Sequence, residues 1–501
     1  MYKRRFSLLI TSCLLCTAVN AQLTRLGKDV DYQVTASGQF GDGEHTPFWL
    51  SANRYGLASI NNNSGYVRAS IQRDTQADSQ RNWRLGYAAD LVVPFGYDGK
   101  FLVQQLYAEA AYKLVRLSIG QKERPAEMKN NELSSGSMVL GTNARPLPQV
   151  RVETSDFFAF PGTKQWIHLK GHLAYGWYAD NQWQRDFNNG NNARSYTNNS
   201  LYHSKAGYLR VSNLEKFPLT FTGGVEMVCQ FGGTAWNVPI KNKNGELETT
   251  HAMKGGVKEY LQAFIPTGSD VIDGDNPNVM GNNVGSYQAR LDYHGKGWGA
   301  SLYGEHFFED HSMMGFDFDW KDFLWGAEIK LPSNPIISTV VLEHMRTTDQ
   351  SGPVFSNKTD KTPSIGGVDD YYCHGIYGAY QHAGFVMGTP LLISPIYNEN
   401  NNIYCYDNRI TAQHVGVSGN PCNDLSYRIL YTHEKSLGTY KVPRENPTTS
   451  DFLMAEVTYR PHKIEGLAIT ASYGQDWGSL TGNNQGALLT VSYSGGLTTK
   501  K

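Results

Sequence analysis

The chain has 501 residues, only 18% of them charged, and its formal net charge is −1. Typical soluble domains carry roughly 25% charged residues, and nucleic-acid binding requires a basic face. The composition therefore argues against an ordinary soluble protein and against nucleic acid as a partner. Aromatic residues reach 12% and Gly numbers 51, yet no apolar run beyond the N-terminus approaches the roughly 20 residues of a membrane-spanning helix. A transmembrane β-barrel, whose strands face lipid on one side and water on the other, accounts for this combination.

The N-terminus predicts export. Lys3, Arg4 and Arg5 form a basic start, an apolar stretch follows, and Val19-Asn20-Ala21 is a small-residue cleavage site. We therefore expect a signal peptide over residues 1–21 and a single outer-membrane β-barrel domain over residues 22–501. Removal of the signal peptide leaves 42 basic and 46 acidic residues, because three of the 45 basic residues are lost.

Alternation of apolar and polar residues over about nine to eleven positions is the recurring pattern, and this length suits a tilted membrane strand. In residues 286–294, Leu291 and Tyr293 share one face, while Arg290 and His294 share the other. We count about nineteen such strands. Clear alternation also occurs in residues 83–91, 165–177 and 424–432, and further strands are predicted to start near residues 31, 66, 103, 114, 148, 201, 219, 297, 323, 336, 376, 409, 452, 467 and 487.

A soluble β-sandwich or β-propeller would alternate too, but long strands with aromatic residues near their ends favour an all-β transmembrane antiparallel barrel. The predicted connections are uneven, as expected for short periplasmic turns and longer extracellular loops. Residues 294–297 and 461–463 form tight turns, whereas the segments 186–199, 241–280, 357–370 and 398–402 are polar loops.

Two segments interrupt the strand pattern. Thr46, Pro47 and Gly56 provide a cap, a first-turn proline and a terminating glycine, so a short helix is predicted over residues 46–56. Residues 132–146 read as an irregular segment punctuated by Gly and Pro. Neither segment is needed merely to connect strands.

Catalytic and metal-binding patterns are weak. The spacing of His306 and Glu309 matches no zinc-protease motif, and a hydrolase using His294 and His306 would lack a GxSxG nucleophile elbow. A calcium site at Asp270, Asp273 and Asp275 does not follow the usual calcium-loop order. We therefore expect no enzyme activity, no cofactor and no metal.

Four cysteines lie beyond the signal peptide, and an exported chain permits disulfides between them. Four cysteines allow three connectivities, so the pairing stays open. They are Cys229, Cys373, Cys405 and Cys422.

The inward faces carry a combination suited to sugars. Aromatic rings stack on sugar C–H surfaces, while Arg, Gln, Asn and Asp side chains form directional hydrogen bonds to hydroxyl and carboxylate groups. Porin walls use the same residue types, so composition alone leaves two alternatives, a polysaccharide-binding protein and a general porin for small polar solutes.

Four segments of the chain resemble the Wzi family of outer-membrane capsule assembly proteins. They are residues 46–57 (TPFWLSANRYGL), 132–138 (ELSSGSM), 143–151 (NARPLPQVR) and 160–163 (FPGT). The resemblance implies a barrel of about eighteen strands, consistent with the strand count, with short helical plug elements near the periplasmic end, a role that residues 46–56 and 132–146 would fill. It also implies a lectin-like protein that binds capsular polysaccharide and helps attach it to the cell surface.

These expectations define a location, partners and candidate ligand-binding residues. We expect a monomeric barrel in the outer membrane of a Gram-negative bacterium. Its expected partners are membrane lipid and capsular or other surface polysaccharide. Trp183 and Trp236 are expected as stacking platforms in the long loops. Arg145, Gln149 and Arg151 are expected either to position the plug or to bind sugar.

Overall fold

The computed structural model describes residues 26–97, 99–188, 194–241, 244–267, 280–309, 320–332, 334–351 and 369–497. The predicted signal peptide and the Asp270, Asp273 and Asp275 cluster lie outside these residues. Within the described ranges, no helix combines the length and apolar character needed to cross a bilayer.

Eighteen strands of seven or more residues within the described ranges form one antiparallel sheet that closes on itself. The last strand pairs with the first, and Tyr493 lies opposite Val34. The two-residue strand Phe158–Ala159 also joins this sheet. The barrel strands are β1 Asp31–Asp42, β2 Ser64–Arg73, β3 Trp83–Phe95, β4 Leu102–Tyr112, β5 Val115–Gln121, β6 Pro148–Thr154, β7 Ile167–Trp177, β8 Leu201–Ser212, β9 Leu219–Phe231, β10 Asn282–His294, β11 Gly299–Glu309, β12 Phe323–Lys330, β13 Thr339–Arg346, β14 Ile410–Cys422, β15 Leu425–Gly438, β16 Pro443–Tyr459, β17 Leu467–Gly478 and β18 Asn484–Gly496.

The strand faces follow the predicted alternation. Leu291 and Tyr293 of β10 are 40% and 38% exposed on the outside of the barrel, whereas Arg290, which precedes Leu291, is directed into the interior. Exposed aromatic residues form a belt near each end of the barrel, as in membrane barrels generally. One belt contains Trp83, Tyr112, Tyr293, Tyr459 and Tyr493, and the other contains Phe40, Phe95, Trp177, Trp325 and Trp477.

The two ends of the barrel differ in their connections. At the end that holds Asp31 and Gly496, β4 and β5 are joined through residues 113–114 and β14 and β15 through residues 423–424. We call this the short-turn end, and by the usual barrel asymmetry it faces the periplasm. The opposite, long-loop end has the connections 43–63, 122–147, 178–200, 232–281, 310–322 and 347–409.

Smaller elements lie in the long connections. A second sheet, of three strands, comprises Tyr196–Asn198, Gly233–Lys241 and Leu247–Met253. Two-residue ladders pair Cys373–His374 with Gly378–Ala379 and Gln381–His382 with Phe385–Val386. The helices are α1 Phe48–Ser51, α2 Trp183–Phe187 and α3 Val257–Phe264, with 3₁₀ turns at Thr75–Asp78 and Pro395–Tyr397.

Three sequence expectations need correction. The strand predicted near residue 376 is not part of the wall, because Ile376 is buried inside a long connection, and the wall therefore has eighteen long strands and not nineteen. The helix predicted over residues 46–56 is a single turn, α1. It also lies in the half of the barrel next to the long-loop end, since its chain enters directly from Asp42 and the Phe48 amide binds Asp476 near the end of β17.

The second plug element does reach the half of the barrel near the short-turn end. Glu132 forms an ion pair of 3.1 Å with Arg428, the fourth residue of β15 from that end. From there the chain returns to the long-loop end, where β6 begins at Pro148.

Candidate functional site: the filled barrel interior and its basic cavity

Three connections fold into the barrel and fill its interior. We call these connections, residues 43–63, 122–147 and 369–409, the plug. Apolar plug residues pack against apolar residues on the inner face of the wall in one continuous core. From the plug this core includes Phe48, Trp49, Leu133, Met138, Tyr371, Tyr372, Tyr380, Leu391 and Leu392, and from the wall it includes Val284, Phe307, Leu324, Val341, Phe452 and Met454.

Trp49 shows how closely the plug fits the wall. Its side chain is 2% exposed, its ring lies 5.1 Å from that of His414, and its indole N–H donates to Thr432 Oγ1 at 3.2 Å. Gly416 on β14 allows a neighbouring plug segment to approach the strand directly, because a Cβ at this position would lie 2.3 Å from the Leu133 carbonyl oxygen. At these contacts the plug and the wall are packed as densely as a protein interior, so no atom can be added without displacing a neighbour.

Buried charges fix the plug at defined positions. Lys129 Nζ lies 3.2 Å from Glu305 of β11 and 3.9 Å from Glu343 of β13, and all three side chains are buried. Glu343 also accepts hydrogen bonds from the Ser135 amide at 2.6 Å and from Tyr303 Oη at 2.7 Å. Because each buried carboxylate has a cation or several donors, the cost of desolvating these groups is offset.

A cavity of about 120 Å³ remains between the plug and the inner face of β6–β9. It is lined by aromatic side chains and by an unusual number of ionisable ones. The lining includes Tyr55, Lys122, Arg124, Glu127, Arg145, Gln149, Arg151, Glu153, Lys170, His172, Tyr202, Tyr208, Glu226 and Tyr380.

Most of the charged groups around the cavity are paired. Lys122 Nζ lies 2.8 Å from Glu109, and Lys170 Nζ lies 2.7 Å from Glu127. Glu153 receives two guanidinium groups, from Arg151 at 2.5 Å and from Arg116 at 3.4 Å. These pairs join four cations with three carboxylates, and every side chain in them is at most 26% exposed. Their mutual attraction is therefore screened less than at an open surface.

Among the described residues, Arg124 forms no ion pair with a carboxylate. Its guanidinium donates only to neutral oxygens, the Lys122 carbonyl at 3.2 Å and the Ser118 hydroxyl at 2.9 Å. Burial and the neighbouring positive charge of Arg151 lower the pKa of Arg124 to about 10. The side chain is still protonated at neutral pH, and the charges of Glu153 and Glu109 act on it through space. The cavity wall therefore contains a buried guanidinium that forms no direct ion pair among the described residues.

Arg145 lies on the plug side of the same cavity. Its Nε atom is buried and makes no hydrogen bond, and burial lowers the pKa of its guanidinium. Its backbone carbonyl accepts a hydrogen bond from His382 Nδ1 at 2.8 Å, with the tautomer assigned from this geometry. This hydrogen bond joins two plug segments that are distant in sequence.

The structure brings three of the five predicted ligand-binding residues together. Arg145, Gln149 and Arg151 all line the cavity, whereas Trp183 and Trp236 lie at the long-loop end. Trp183 is half-buried and stacks on Phe187 with ring centroids 4.5 Å apart. Trp236 is 37% exposed and nearly parallel to the ring of Tyr196 at 6.3 Å.

Sequence reasoning missed Lys122 and Arg124 as cavity residues. Both follow β5 in a segment without a recognisable motif, and only the closed sheet places them opposite Lys170. The alternation over residues 165–177 did predict that Lys170 and His172 lie on the interior face of β7, so this part of the site could be found from the sequence.

The structure does not bring the two histidines of the hydrolase alternative together. His294 and His306 lie on adjacent strands, but His294 pairs with Gly299 at the short-turn end and His306 with Tyr287, seven positions away. At about 3.4 Å per residue, this offset separates them by more than 20 Å. Among the described residues, no cluster of three metal-ligating side chains is found.

Comparison with solved structures supports the same fold. Wzi from Escherichia coli is an outer-membrane protein involved in group 1 capsule assembly and a carbohydrate-binding β-barrel. It is 15% identical to this chain, with a TM-score of 0.56, and the match covers 95% of this chain and 86% of Wzi. At this identity the likeness establishes the fold, an outer-membrane β-barrel.

Two proteins of Pseudomonas aeruginosa, OccK3 (OpdO) and OpdL, are each 11% identical over 94% of this chain and cover 96% and 99% of their own. Their TM-scores are 0.44 and 0.46. No protein-family model and no curated protein sequence matches the chain.

Proposed function

We propose that this protein is a carbohydrate-binding outer-membrane barrel that holds a capsular or similar surface polysaccharide, and that it is neither a general porin nor an enzyme. In this proposal residues 1–21 direct export, residues 22–501 form one barrel domain, and the barrel acts as a monomer at the surface of a Gram-negative cell. The observation that carries the proposal is the filled interior.

A general porin needs a polar, water-filled lumen along the barrel axis. Here the middle of the barrel contains an apolar core in which Phe48, Trp49 and Tyr372 are at most 2% exposed. A core packed to this extent stabilises the plug in its place, because its removal would expose large aromatic surfaces to water. The geometry therefore favours a binding protein over a diffusion channel.

The long-loop end offers surfaces suited to a polymer of sugars. The ring of Trp236 is partly exposed on the three-stranded sheet, and its indole N–H donates to Asn198 at 3.2 Å. Tyr404 and Tyr406 form a second aromatic pair, with centroids 5.4 Å apart, and Tyr406 Oη accepts from Asn402 at 2.7 Å. Aromatic faces beside amide groups can stack on sugar rings and bind their hydroxyls.

Two measurements on the purified full-length barrel test the proposal. In planar bilayers, the protein is expected to give no large steady conductance. In proteoliposomes, it is expected to retain capsular polysaccharide from the source organism during sedimentation, and Trp236→Ala is expected to retain less. Lys216→Met is a suitable control, since Lys216 is exposed in the turn between β8 and β9 at the short-turn end, whereas the three-stranded sheet lies at the long-loop end.

Each measurement can overturn part of the proposal. A large steady conductance would establish the porin alternative. A closed barrel that retains no polysaccharide would refute carbohydrate binding.

A further inference from the structure

We propose that the basic cavity binds the carboxylate group of an acidic sugar, a uronic acid residue of the polysaccharide. This inference rests on the proposed function, since it names the sugar class that the protein would recognise. It is carried by three features of the cavity: an excess of positive charge, hydrogen-bond acceptors beside that charge, and a mouth that admits the end of a larger molecule.

The charge excess follows from the pairing pattern. Lys122, Lys170 and Arg151 form ion pairs with carboxylates. In the described part of the chain Arg124 forms no ion pair, donates only to neutral oxygens and is affected by Glu153 and Glu109 only through space. Arg145, on another wall of the same cavity, forms no ion pair in the described part of the chain and has an unpartnered, buried Nε. A bound anion would supply the missing counter-charge, and a guanidinium binds a carboxylate through parallel hydrogen bonds.

The acceptors distinguish an acidic sugar from a simple inorganic anion. Gln149 Oε1 is buried in the cavity wall and accepts no hydrogen bond. The carboxylates of Glu127 and Glu226 also line the cavity. These oxygens would repel a doubly charged sulfate more than a singly charged carboxylate, and they can accept hydrogen bonds from sugar hydroxyls, which sulfate lacks. A ligand with one carboxylate and several hydroxyls satisfies both sets of groups.

The size and aromatic lining agree with this ligand. A volume of about 120 Å³ is several times the roughly 10–15 Å³ that one water molecule requires in such a cavity, which is enough for the acidic part of a sugar ring. Tyr202, Tyr208 and Tyr380 contribute ring surface to the lining. The remainder of the chain must therefore leave through the mouth.

The Lys170–Glu127 ion pair, with both side chains 26% exposed, is an open part of the lining. Lys170 Nζ also lies 5.6 Å from the centre of the Phe157 ring, in the connection between β6 and β7. A sugar residue is therefore expected to enter beside this ion pair.

Calorimetric titration of the full-length protein in detergent tests the inference with three probes, D-glucuronate, D-glucose and sulfate. Glucuronate is expected to bind more tightly than either of the others. Arg124→Gln is expected to weaken glucuronate binding by about tenfold to hundredfold, the effect of losing a hydrogen bond to a charged group. Arg185→Gln is the matched control, because Arg185 is half-exposed and paired with its neighbour Asp186 on α2.

Gln149→Leu keeps every cation and removes only the unpartnered acceptor. It is expected to weaken glucuronate binding while leaving sulfate binding unchanged, and it tests the inference even if Arg124→Gln does not fold. Absence of glucuronate binding, or equal binding of sulfate, would overturn the inference. If proteoliposomes still retain polysaccharide in that case, the proposed function stands without this site, whereas glucuronate binding without polymer retention would refute the proposed function alone.

Discussion

Trp49→Ala tests whether the plug is an integral part of the barrel core. The indole is 2% exposed, packs against Phe48 at 5.1 Å and donates to Thr432. Truncation of a buried Trp to Ala typically costs about 3–5 kcal/mol, and the lost hydrogen bond of about 1 kcal/mol is part of that cost. We therefore expect the free energy of unfolding to fall by about 3–5 kcal/mol.

Urea titration of the folded protein in detergent, followed by far-UV circular dichroism, measures this change. Trp49→Phe is expected to lose less, because it keeps an aromatic ring and loses mainly the indole N–H. Trp236→Ala provides the control, since this residue is 37% exposed and partly exposed substitutions usually change stability by about 0.5 kcal/mol or less. If Trp49→Ala and Trp236→Ala unfold at the same urea concentration, the plug is not packed in the barrel as described.

The remaining predictions concern buried charge, pH and plug docking. Lys129→Met is expected to cost about 3–5 kcal/mol because it leaves buried carboxylates without their cation, whereas the control Lys216→Met, at an exposed position between β8 and β9, is expected to change stability by at most about 0.5 kcal/mol; equal unfolding midpoints would contradict the buried pairing. Burial lowers the pKa of His382 from 6.5 to about 4. The buried neutral imidazole therefore adds about 3 kcal/mol to the free energy of unfolding above pH 6.5, and this stabilisation is lost as the pH falls toward 4. His382→Gln is expected to flatten this part of the stability–pH curve, and an unchanged slope would contradict the burial of a neutral imidazole. Gly416→Ala is expected to undock the plug and raise ion conductance in bilayers, whereas Gly207→Ala, with free space around its Cβ, is expected not to; equal conductance would refute the close contact.

The sequence was sufficient to predict the wall of the barrel. Alternation with a period of two is a local property, and it determines which face of a strand such as β10 contacts lipid. Leu291 and Arg290 consequently lie on the faces that were predicted. The closing of β18 on β1 is not local, but composition and long alternating strands had already predicted a transmembrane barrel, which must close because an open sheet edge cannot face lipid. The family resemblance added the number of about eighteen strands.

The plug was predicted less well for a physical reason. A buried segment surrounded by protein has no fixed hydrophobic period, so Ile376 was mistaken for the start of a wall strand. α1 is stabilised by contacts with β14–β17 and not by its own propensity, since a single isolated turn is unstable. Its length and depth could therefore not be derived from Thr46, Pro47 and Gly56 alone.

The cavity was predicted only in part. Arg145, Gln149 and Arg151 belong to one continuous segment, and that segment attracted attention through its resemblance to a known family. Arg124 and Lys170 come from separate parts of the chain, and their proximity depends on the register of the whole sheet. No local pattern contains that information.

The central claim is that the protein holds polysaccharide at the cell surface. Its most direct test is deletion of the gene in the source bacterium, followed by staining of cell-bound and shed polysaccharide. We expect the deletion strain to make the polymer in normal amount but to release it into the medium, and we expect the intact gene to restore retention. Retention equal to that of the parent strain would contradict the account.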